Sequence, residues 1–169
     1  MIEPRAVRPH MPGYGVPADA DGTLPWSWAD EHLARSRNYW LVTASAVARP
    51  HALPVWGVWS SEHGVWWTSC SPDSRKARNL AANPACVVAP DDTTECVSLE
   101  GHAVPLNEAR IETVVAAYVA KYATEVGGDP TEFAGFIRSN ALFEVVPERA
   151  FGIIERPDEF SARATKWVF

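Results

Sequence analysis

Residues 68–79 combine the side chains that binding a phosphate group requires. Hydroxyl groups come first and three cations follow, in the order Thr68-Ser69-Cys70-Ser71-Pro72-Asp73-Ser74-Arg75-Lys76-Ala77-Arg78-Asn79. Ser71 or Ser74 can cap a helix with Pro72 at its first position, and the free N–H groups at a helix start attract anions. The segment therefore predicts a phosphate site. A solvated helix face whose cations pair with nearby aspartates fits the same charge pattern.

Tryptophan is the unusual component of this chain, with eight residues among 169. Four of them, Trp56, Trp59, Trp66 and Trp67, lie within twelve positions. Indole rings supply large flat apolar surfaces, so such a group indicates either a heavy core or the wall of a pocket for a flat ligand. Trp56 and Trp59 have an odd spacing, which places them on opposite faces of a strand, so at most one of them lines a given pocket.

Cysteine and histidine residues do not form a metal-binding pattern. The three cysteines have no C-x-x-C spacing, and the five histidines are scattered without a helical i, i+4 pair. An odd number of cysteines in this arrangement is typical of reduced thiols. The sequence therefore predicts neither a disulfide framework nor a metal site.

Length and charge restrict the class of protein. A chain of 169 residues with a net charge of −6 forms one domain with its own core, and it is a poor candidate for binding nucleic acid along an extended face. No apolar run is long enough to span a membrane, and the first residues lack the apolar stretch of a signal peptide. We therefore expect a cytoplasmic protein without membrane or nucleic-acid partners.

The first 25 residues differ in composition from the rest. They contain five prolines and three glycines, which should not sustain a helix or a strand ladder. We expect residues 1–25 to form an extended N-terminal arm that folds over a second subunit or the mouth of a pocket. Residues 26–169 then form the single domain, which starts with a helix at a capping-box pattern, Ser27 to Asp30, and continues to about Arg37.

The remaining sequence predicts about seven short strands, mostly sequential and antiparallel, with helices inserted between them. Helices are predicted over residues 75–82, 107–122 and a shorter stretch after Asp129. Residues 142–146 and 151–154 read as separate strands because Pro147 suggests a bend between them. Since no βαβ alternation occurs, the pattern favours a small closed or nearly closed barrel with peripheral helices.

Four sequence elements resemble the pyridoxamine 5′-phosphate oxidase-like superfamily, whose members have flavin- or deazaflavin-binding split barrels. They are Arg49-Pro50-His51-Ala52-Leu53-Pro54-Val55-Trp56, the strand from Trp66 to Ser69, Ser74-Arg75-Lys76-Ala77-Arg78-Asn79-Leu80, and Ala164-Thr165-Lys166-Trp167-Val168-Phe169. The resemblance implies a mainly β (α+β) split barrel with peripheral helices. It also implies a homodimer whose cofactor lies in a groove between the protomers.

The resemblance also implies a role for each matching residue. Arg75 and Lys76 would hold the cofactor phosphate, with assistance from Ser74 and Asn79, while Thr68 and Ser69 would line the phosphate end. The backbone of Pro54, Val55 and Trp56 would run beside a tricyclic ring. Trp167, with Lys166 beside it, would reach toward the site of the partner subunit.

Coenzyme F420 and FMN both carry a ribityl phosphate on a tricyclic ring, so a phosphate site alone does not distinguish them. The strand Pro54-Val55-Trp56-Gly57-Val58-Trp59 and the helix from Ser74 to Leu80 look most like those of the deazaflavin-dependent reductases in the superfamily. The resemblance therefore implies F420 as the cofactor, with FMN as the alternative. The expected reaction is hydride transfer to an electron-poor small molecule. Tyr118, His51 or solvent could supply the accompanying proton, and the sequence identifies no catalytic residue. A non-enzymatic flavin-binding or storage protein remains an alternative, and a heme-binding barrel is disfavoured for lack of an evident axial ligand.

Overall fold

The computed structural model describes residues 3–169; Met1 and Ile2, the start of the predicted arm, lie outside the described residues. The strands are β1 (Arg5–Val7), β2 (Asn38–Ala44), β3 (Pro50–Ser60), β4 (Val65–Cys70), β5 (Ala85–Pro90), β6 (Glu95–Pro105), β7 (Ala141–Ile154) and β8 (Thr165–Val168). The α-helices are α1 (Trp26–Arg35), α2 (Arg75–Ala82), α3 (Ile111–Val126), α4 (Pro130–Arg138) and α5 (Phe160–Arg163). Short 3-10 turns occur at Pro12–Tyr14 and Glu108–Arg110.

Six of the strands form a closed antiparallel barrel. Their order is β7-β4-β3-β2-β5-β6, and β6 pairs back onto β7 to complete the ring. Closure gives each strand of the ring a neighbour on both sides over at least part of its length. The other two strands extend the sheet, because β8 pairs with β7 and β1 pairs with β8. The expected barrel with peripheral helices is confirmed.

Strand β7 corrects one expectation, because the two predicted strands on either side of Pro147 are a single strand of 14 residues. The register against β6 shifts where Glu100 pairs with Arg149 and Gly101 pairs with Pro147. This β-bulge accommodates one extra residue on β7, and a bulge is a position where the missing N–H of proline is tolerated. The bend predicted at Pro147 is therefore an irregularity within one long strand.

The N-terminal arm corrects another expectation, since it contains a strand. Residues 5–7 contain no proline and keep their N–H groups, which lets β1 pair with β8 from Arg5↔Val168 to Val7↔Lys166. Arg8 then donates hydrogen bonds to the carbonyl groups of Ala162 and Ala164, both at 2.9 Å, and to those of Asp19 and Asp21. The described part of the arm is thus attached to the C-terminal segment of its own chain.

Helix α1 begins at Trp26, two residues before the start that a cap at Ser27 predicts, and it lacks the capping box. Pro25 occupies the N-cap position, and no side chain caps the helix. Asp30 instead accepts hydrogen bonds from Trp59 Nε1 at 2.7 Å and from the hydroxyl of Ser61 at 2.9 Å. The carboxylate therefore satisfies a buried indole N–H and attaches α1 to the barrel.

Helix α2 begins at Arg75 and ends at Ala82, as the sequence predicts. Ser74 is the N-cap, and its Oγ accepts a hydrogen bond from the N–H of Ala77 at 3.1 Å. Pro72 lies before the helix. The alternative prediction, in which Ser71 caps the helix and Pro72 is its first residue, is therefore wrong.

Two apolar clusters hold the helices and strands together. One fills the barrel and includes the fully buried side chains of Tyr39, Leu41, Trp66 and Trp167. The other joins α3 and α4 to the barrel wall, through side chains that include Trp67, Val114, Val115, Tyr118, Tyr122, Phe133 and Ile137. Burying one such large apolar side chain contributes about 1.5–3 kcal/mol. The predicted apolar stripe of α3 is therefore the surface that fixes it to the barrel.

No helix within residues 3–169 is both long and apolar enough to cross a lipid bilayer.

Candidate functional site

Strands β3 and β4 separate from each other along part of their length. Their ladder extends only from Gly57↔Thr68 to Ser60↔Val65, whereas β3 continues upstream to Pro50 in partnership with β2. At the same end of the ladder, β4 continues past Thr68 to Cys70 in partnership with β7. Within the described residues, the edge of β3 upstream of Gly57 that faces away from β2 therefore has no partner strand.

A groove of about 400 Å³ opens at this separation. Strand β3, the end of β4, the start of α2 and the end of α4 all contribute to its walls. Its lining residues are Pro54, Val55, Trp56, Ser69, Cys70, Ser71, Ser74, Lys76, Tyr118, Phe136, Ile137 and Asn140.

One end of the groove is polar and cationic. The first turn of α2 brings Ser74 and the Lys76 side chain to it, and Ser71 adds a hydroxyl group. Ser69 Oγ lies on the facing strand and accepts a hydrogen bond from Asn140 Nδ2 at 2.9 Å. A lysine, several hydroxyl groups and the positive end of a helix dipole form a suitable site for an anion.

The other end of the groove is aromatic. Trp56 stacks on Tyr122 with ring centroids 5.0 Å apart and an interplanar angle of 14°. Tyr122 is itself fixed, because its hydroxyl accepts a hydrogen bond from the N–H of Gly57 at 3.0 Å. The opposing helix α4 contributes Phe136, whose side chain is 56% exposed. This end therefore offers flat apolar surfaces that can cover a planar ring.

Tyr118 lies at the floor of the groove and is fully buried. Its hydroxyl lies within donating distance of the carbonyl oxygens of Trp56 (3.2 Å) and Trp67 (3.4 Å). Burial raises the pKa of the Tyr118 phenol well above its usual range, with the Tyr122 phenol acting in the same direction. The hydroxyl therefore remains protonated and anchors α3 to the strands, which makes it a poor proton donor to a ligand.

The structure brings together six of the ten predicted site residues and places four outside the groove. Pro54, Val55, Trp56, Ser69, Ser74 and Lys76 line it. Arg75 is exposed beside the polar end without lining it.

Thr68 and Asn79 are buried, and both hold the barrel together. Thr68 Oγ1 lies 3.5 Å from the carbonyl oxygen of Trp56. Asn79 Nδ2 donates to Thr43 Oγ1 at 2.9 Å and so attaches α2 to β2. Neither side chain reaches the groove, because each is committed to a partner in the core.

Trp167, on β8, is buried in the larger apolar cluster of its own chain and has no exposed surface. Its ring lies 5.5 Å from that of Trp26, and a Cβ atom at Gly152 would lie 2.5 Å from its Cη2. Of the cluster of four tryptophans, Trp59, Trp66 and Trp67 are also core residues, and Trp56 lines the groove. His51, one of the candidate proton donors, does not line it either.

Six lining residues carry no site assignment from the sequence. Cys70 and Ser71 lie within residues 68–79, so the hydroxyl-rich and cationic segment indicates them. Tyr118 belongs to the predicted inner face of α3, and the sequence names it only as one possible proton donor. Phe136, Ile137 and Asn140 come from the end of α4, which no local signal connects to the phosphate segment.

The family model of pyridoxamine 5′-phosphate oxidase matches residues 29–153. The chain belongs to this family. The match spans the barrel strands and includes every residue that lines the groove, so it covers the whole candidate site of this pyridoxamine 5′-phosphate oxidase family member. The resemblance drawn from the sequence is confirmed.

Solved structures with the same fold carry several different descriptions. A conserved hypothetical protein from Mycobacterium tuberculosis is 19% identical, with a TM-score of 0.67 over 83% of this chain and 91% of that chain. An F420 reductase is 20% identical, with a TM-score of 0.53 over 72% of this chain and 94% of that chain. A heme storage protein from Vibrio cholerae is 20% identical, with a TM-score of 0.57 over 71% and 87% of the two chains. At these identities the likeness establishes a shared fold.

No curated protein matches the chain.

Proposed function

We propose that the protein is an oxidoreductase that binds coenzyme F420 by its phosphate and transfers hydride to an electron-poor small molecule. The observation that carries this proposal is the groove between β3 and β4. It joins a cationic helix start at Lys76 to an aromatic end at Trp56, beside a strand edge that has no partner strand. The F420 reductase with the same fold supports this assignment.

The groove residues fit a cofactor that carries one phosphate on a flat ring system. Lys76 and the nearby serine hydroxyls can bind phosphate oxygens, because charged and hydroxyl donors converge there. The open edge of β3 gives a planar heterocycle room to lie along the backbone at Pro54, Val55 and Trp56. The volume of about 400 Å³ is within the usual range for a small-molecule site.

The protein side chains would act by binding and orienting the reactants. A reduced deazaflavin, when bound, would supply the hydride for an electron-poor double bond, and solvent would supply the proton that completes the two-electron reduction. Lys76 would hold the phosphate end, Trp56 and Phe136 would cover the ring end, and Tyr118 would stay protonated in the lining between them. No side chain is required as a nucleophile.

A homodimer would complete this site. The outer face of β2 exposes the large apolar side chain of Trp40, at 44%, and Val47 in the following loop is 85% exposed. A shallow depression of about 270 Å³ on the same side includes Val42 and Val87. Contiguous apolar surface of this kind marks an interaction site. A concentration-independent monomer mass in light scattering would contradict the dimer.

FMN is the second candidate cofactor, because it shares the ribityl phosphate and a tricyclic ring. An FMN-dependent oxidoreductase and a non-enzymatic flavin-binding or storage protein would both use the same groove. The heme storage protein with this fold raises a third class. None of the described residues that line the groove is a histidine, which disfavours heme in this position.

A side-by-side fluorescence and absorbance titration with F420 and FMN tests the cofactor assignment. We expect saturable binding of F420 that is tighter than that of FMN. Steady-state oxidation of the reduced cofactor with quinones, enones and bilins then separates an enzyme from a carrier. Binding without any acceptor-dependent oxidation would refute the reductase assignment, and tighter binding of FMN would refute the choice of F420.

A further inference from the structure

A second cavity of about 410 Å³ adjoins the cofactor groove. It lies between β3 and the loop that connects α3 to α4. Its lining residues are Trp56, Val126, Gly127, Gly128, Asp129, Glu132, Phe133 and Phe136. Trp56 and Phe136 line both cavities, so these two side chains alone mark the boundary between them.

The shared wall is aromatic and one part of it is rigid. Trp56 stacks on Tyr122 and also meets the edge of Phe133, with ring centroids 6.2 Å apart at 71°. Phe133 is buried, whereas Phe136, on the same helix, remains 56% exposed. An exposed phenyl ring and an indole held in place, which both line the cavity, favour a flat apolar ligand.

The polar residues of this cavity are both acidic. Asp129 caps α4 by accepting a hydrogen bond from the N–H of Thr131 at 2.8 Å, which leaves its second carboxylate oxygen available. Glu132 forms no ion pair with another described residue. The described lining includes no lysine, arginine or histidine. The two cavities therefore have opposite charge, since Lys76 makes the groove cationic.

Aromatic faces and carboxylates attract the same class of ligand. The negative face of an indole or phenyl ring favours a cation within about 6 Å of the ring centre, and a carboxylate pairs with the same cation. An anionic compound would meet Glu132 and Asp129. The guanidinium of Arg37 lies 5.8 Å from the centre of the Trp56 ring, but it is already paired with Glu125. The composition of the cavity thus discriminates by charge as well as by shape.

We propose that this cavity is the substrate subsite, and that it takes a planar aromatic or conjugated compound bearing a protonated nitrogen. The cationic end lies at Glu132 and Asp129, and the flat part lies between Trp56 and Phe136, next to the groove. The inference rests on the proposed function for its role as a substrate site. Its ligand selectivity depends only on the cavity.

Binding to the full-length protein without cofactor tests the charge selectivity. The probes are naphthylmethylamine, naphthylmethanol and naphthoate, which share one ring system and differ in charge, and the readouts are tryptophan fluorescence and calorimetry. We expect the amine to bind at least tenfold more tightly than the alcohol, and naphthoate to bind most weakly. Equal affinities for the amine and the alcohol, or preferential binding of naphthoate, would overturn the proposal.

Two substitutions locate the binding. Glu132→Gln should weaken amine binding about tenfold and leave alcohol binding unchanged, because it removes the charge and preserves the shape. Glu112→Gln is the matched control, since that carboxylate pairs with Arg138 on the surface and does not line the cavity. If Glu132→Gln binds the amine as tightly as the unmodified protein does, the subsite is wrong.

Cofactor titrations keep this result separate from the proposed function. Glu132→Gln should bind F420 and FMN with unchanged affinity, because Glu132 does not line the cofactor groove. Failure of both cofactors to bind, together with amine selectivity, would refute the proposed function and leave the cavity as a cation site. Cofactor binding without amine selectivity would refute the subsite alone.

Discussion

The position of Lys76 leads to a quantitative prediction about cofactor binding. Lys76 lines the groove at the start of α2, whereas Arg75 is exposed beside it. A hydrogen bond to a charged group contributes about 1.5–3 kcal/mol, so Lys76→Gln should weaken F420 or FMN binding roughly 10-fold to 150-fold. Arg75→Gln should have a smaller effect, because its side chain does not line the groove of its own protomer.

The measurement compares ligands with and without the phosphate. Calorimetric titration of FMN and of riboflavin, which share the ring and differ in the phosphate, isolates the phosphate contribution. We expect Lys76→Gln to reduce the affinity for FMN and to leave the affinity for riboflavin unchanged. The corresponding pair for the deazaflavin is F420 and its phosphate-free riboside.

Arg35→Gln controls for the change in net charge, because Arg35 is an exposed cation on α1 that does not line the groove. The reasoning would be refuted if Lys76→Gln weakened riboflavin as much as FMN, since the lost contact would not be to the phosphate. It would also be refuted if Arg75→Gln lost more affinity than Lys76→Gln.

Three further predictions concern stability. Lys121 donates to the Tyr39 hydroxyl at 2.8 Å, and burial lowers its pKa to about 8, so the folded state holds fewer protons than the unfolded state from about pH 8 to 10.5. In urea titrations, the free energy of unfolding should therefore rise by about 1–2 kcal/mol across this window relative to that of Lys121→Met, a value that allows for the partial exposure of Lys121. If the free energies of unfolding of the two proteins change with pH in parallel, the burial argument is wrong. In Gly57→Ala the new Cβ would lie 2.1 Å from Trp66 Cζ2, so the free energy of unfolding in urea should fall by about 1–3 kcal/mol. Gly135→Ala is the control, because its new Cβ would have no atom within 4 Å and should not lower the free energy of unfolding. Arg8→Ala should increase hydrogen exchange in β1, because it removes the bonds to the carbonyl groups of Ala162 and Ala164, and unchanged protection would show that pairing with β8 alone holds the arm.

Much of the fold follows from local sequence patterns. The extent of α2 follows from Ser74, which offers a cap, and from Asn83-Pro84, which cannot continue the helix. The orientation of α3 follows from an apolar stripe, because residues three and four positions apart share one face of a helix. By contrast, Pro147 predicts a break between two strands, whereas the structure has one continuous strand. A bulge in the pairing with β6 accommodates the proline. The residue paired with Pro147 is Gly101, 46 positions away in the chain, so no local pattern reveals the bulge.

The candidate site depends more on tertiary structure. Neighbouring helical residues point about 100° apart, so the adjacent cations Arg75 and Lys76 leave α2 in different directions, and Lys76 is the one that lines the groove. The rotation of α2 is set by packing, including the hydrogen bond from Asn79 to Thr43. The sequence thus indicated the cation pair, and only the packed barrel selected Lys76.

The tryptophans show the same division. Successive side chains of a strand point to opposite faces, so the odd spacing of Trp56 and Trp59 determines that they lie on opposite faces of β3. Which of the two faces lines a pocket depends on the separation of β3 from β4 and on the packing of α4, which contributes Phe136 to the groove. The sequence by itself determined most of the strands, the start of α2 and one concentrated cationic segment, because these depend on residues a few positions apart. The tertiary structure decided which side chains meet, because that depends on strand pairing and helix packing between residues far apart in the chain.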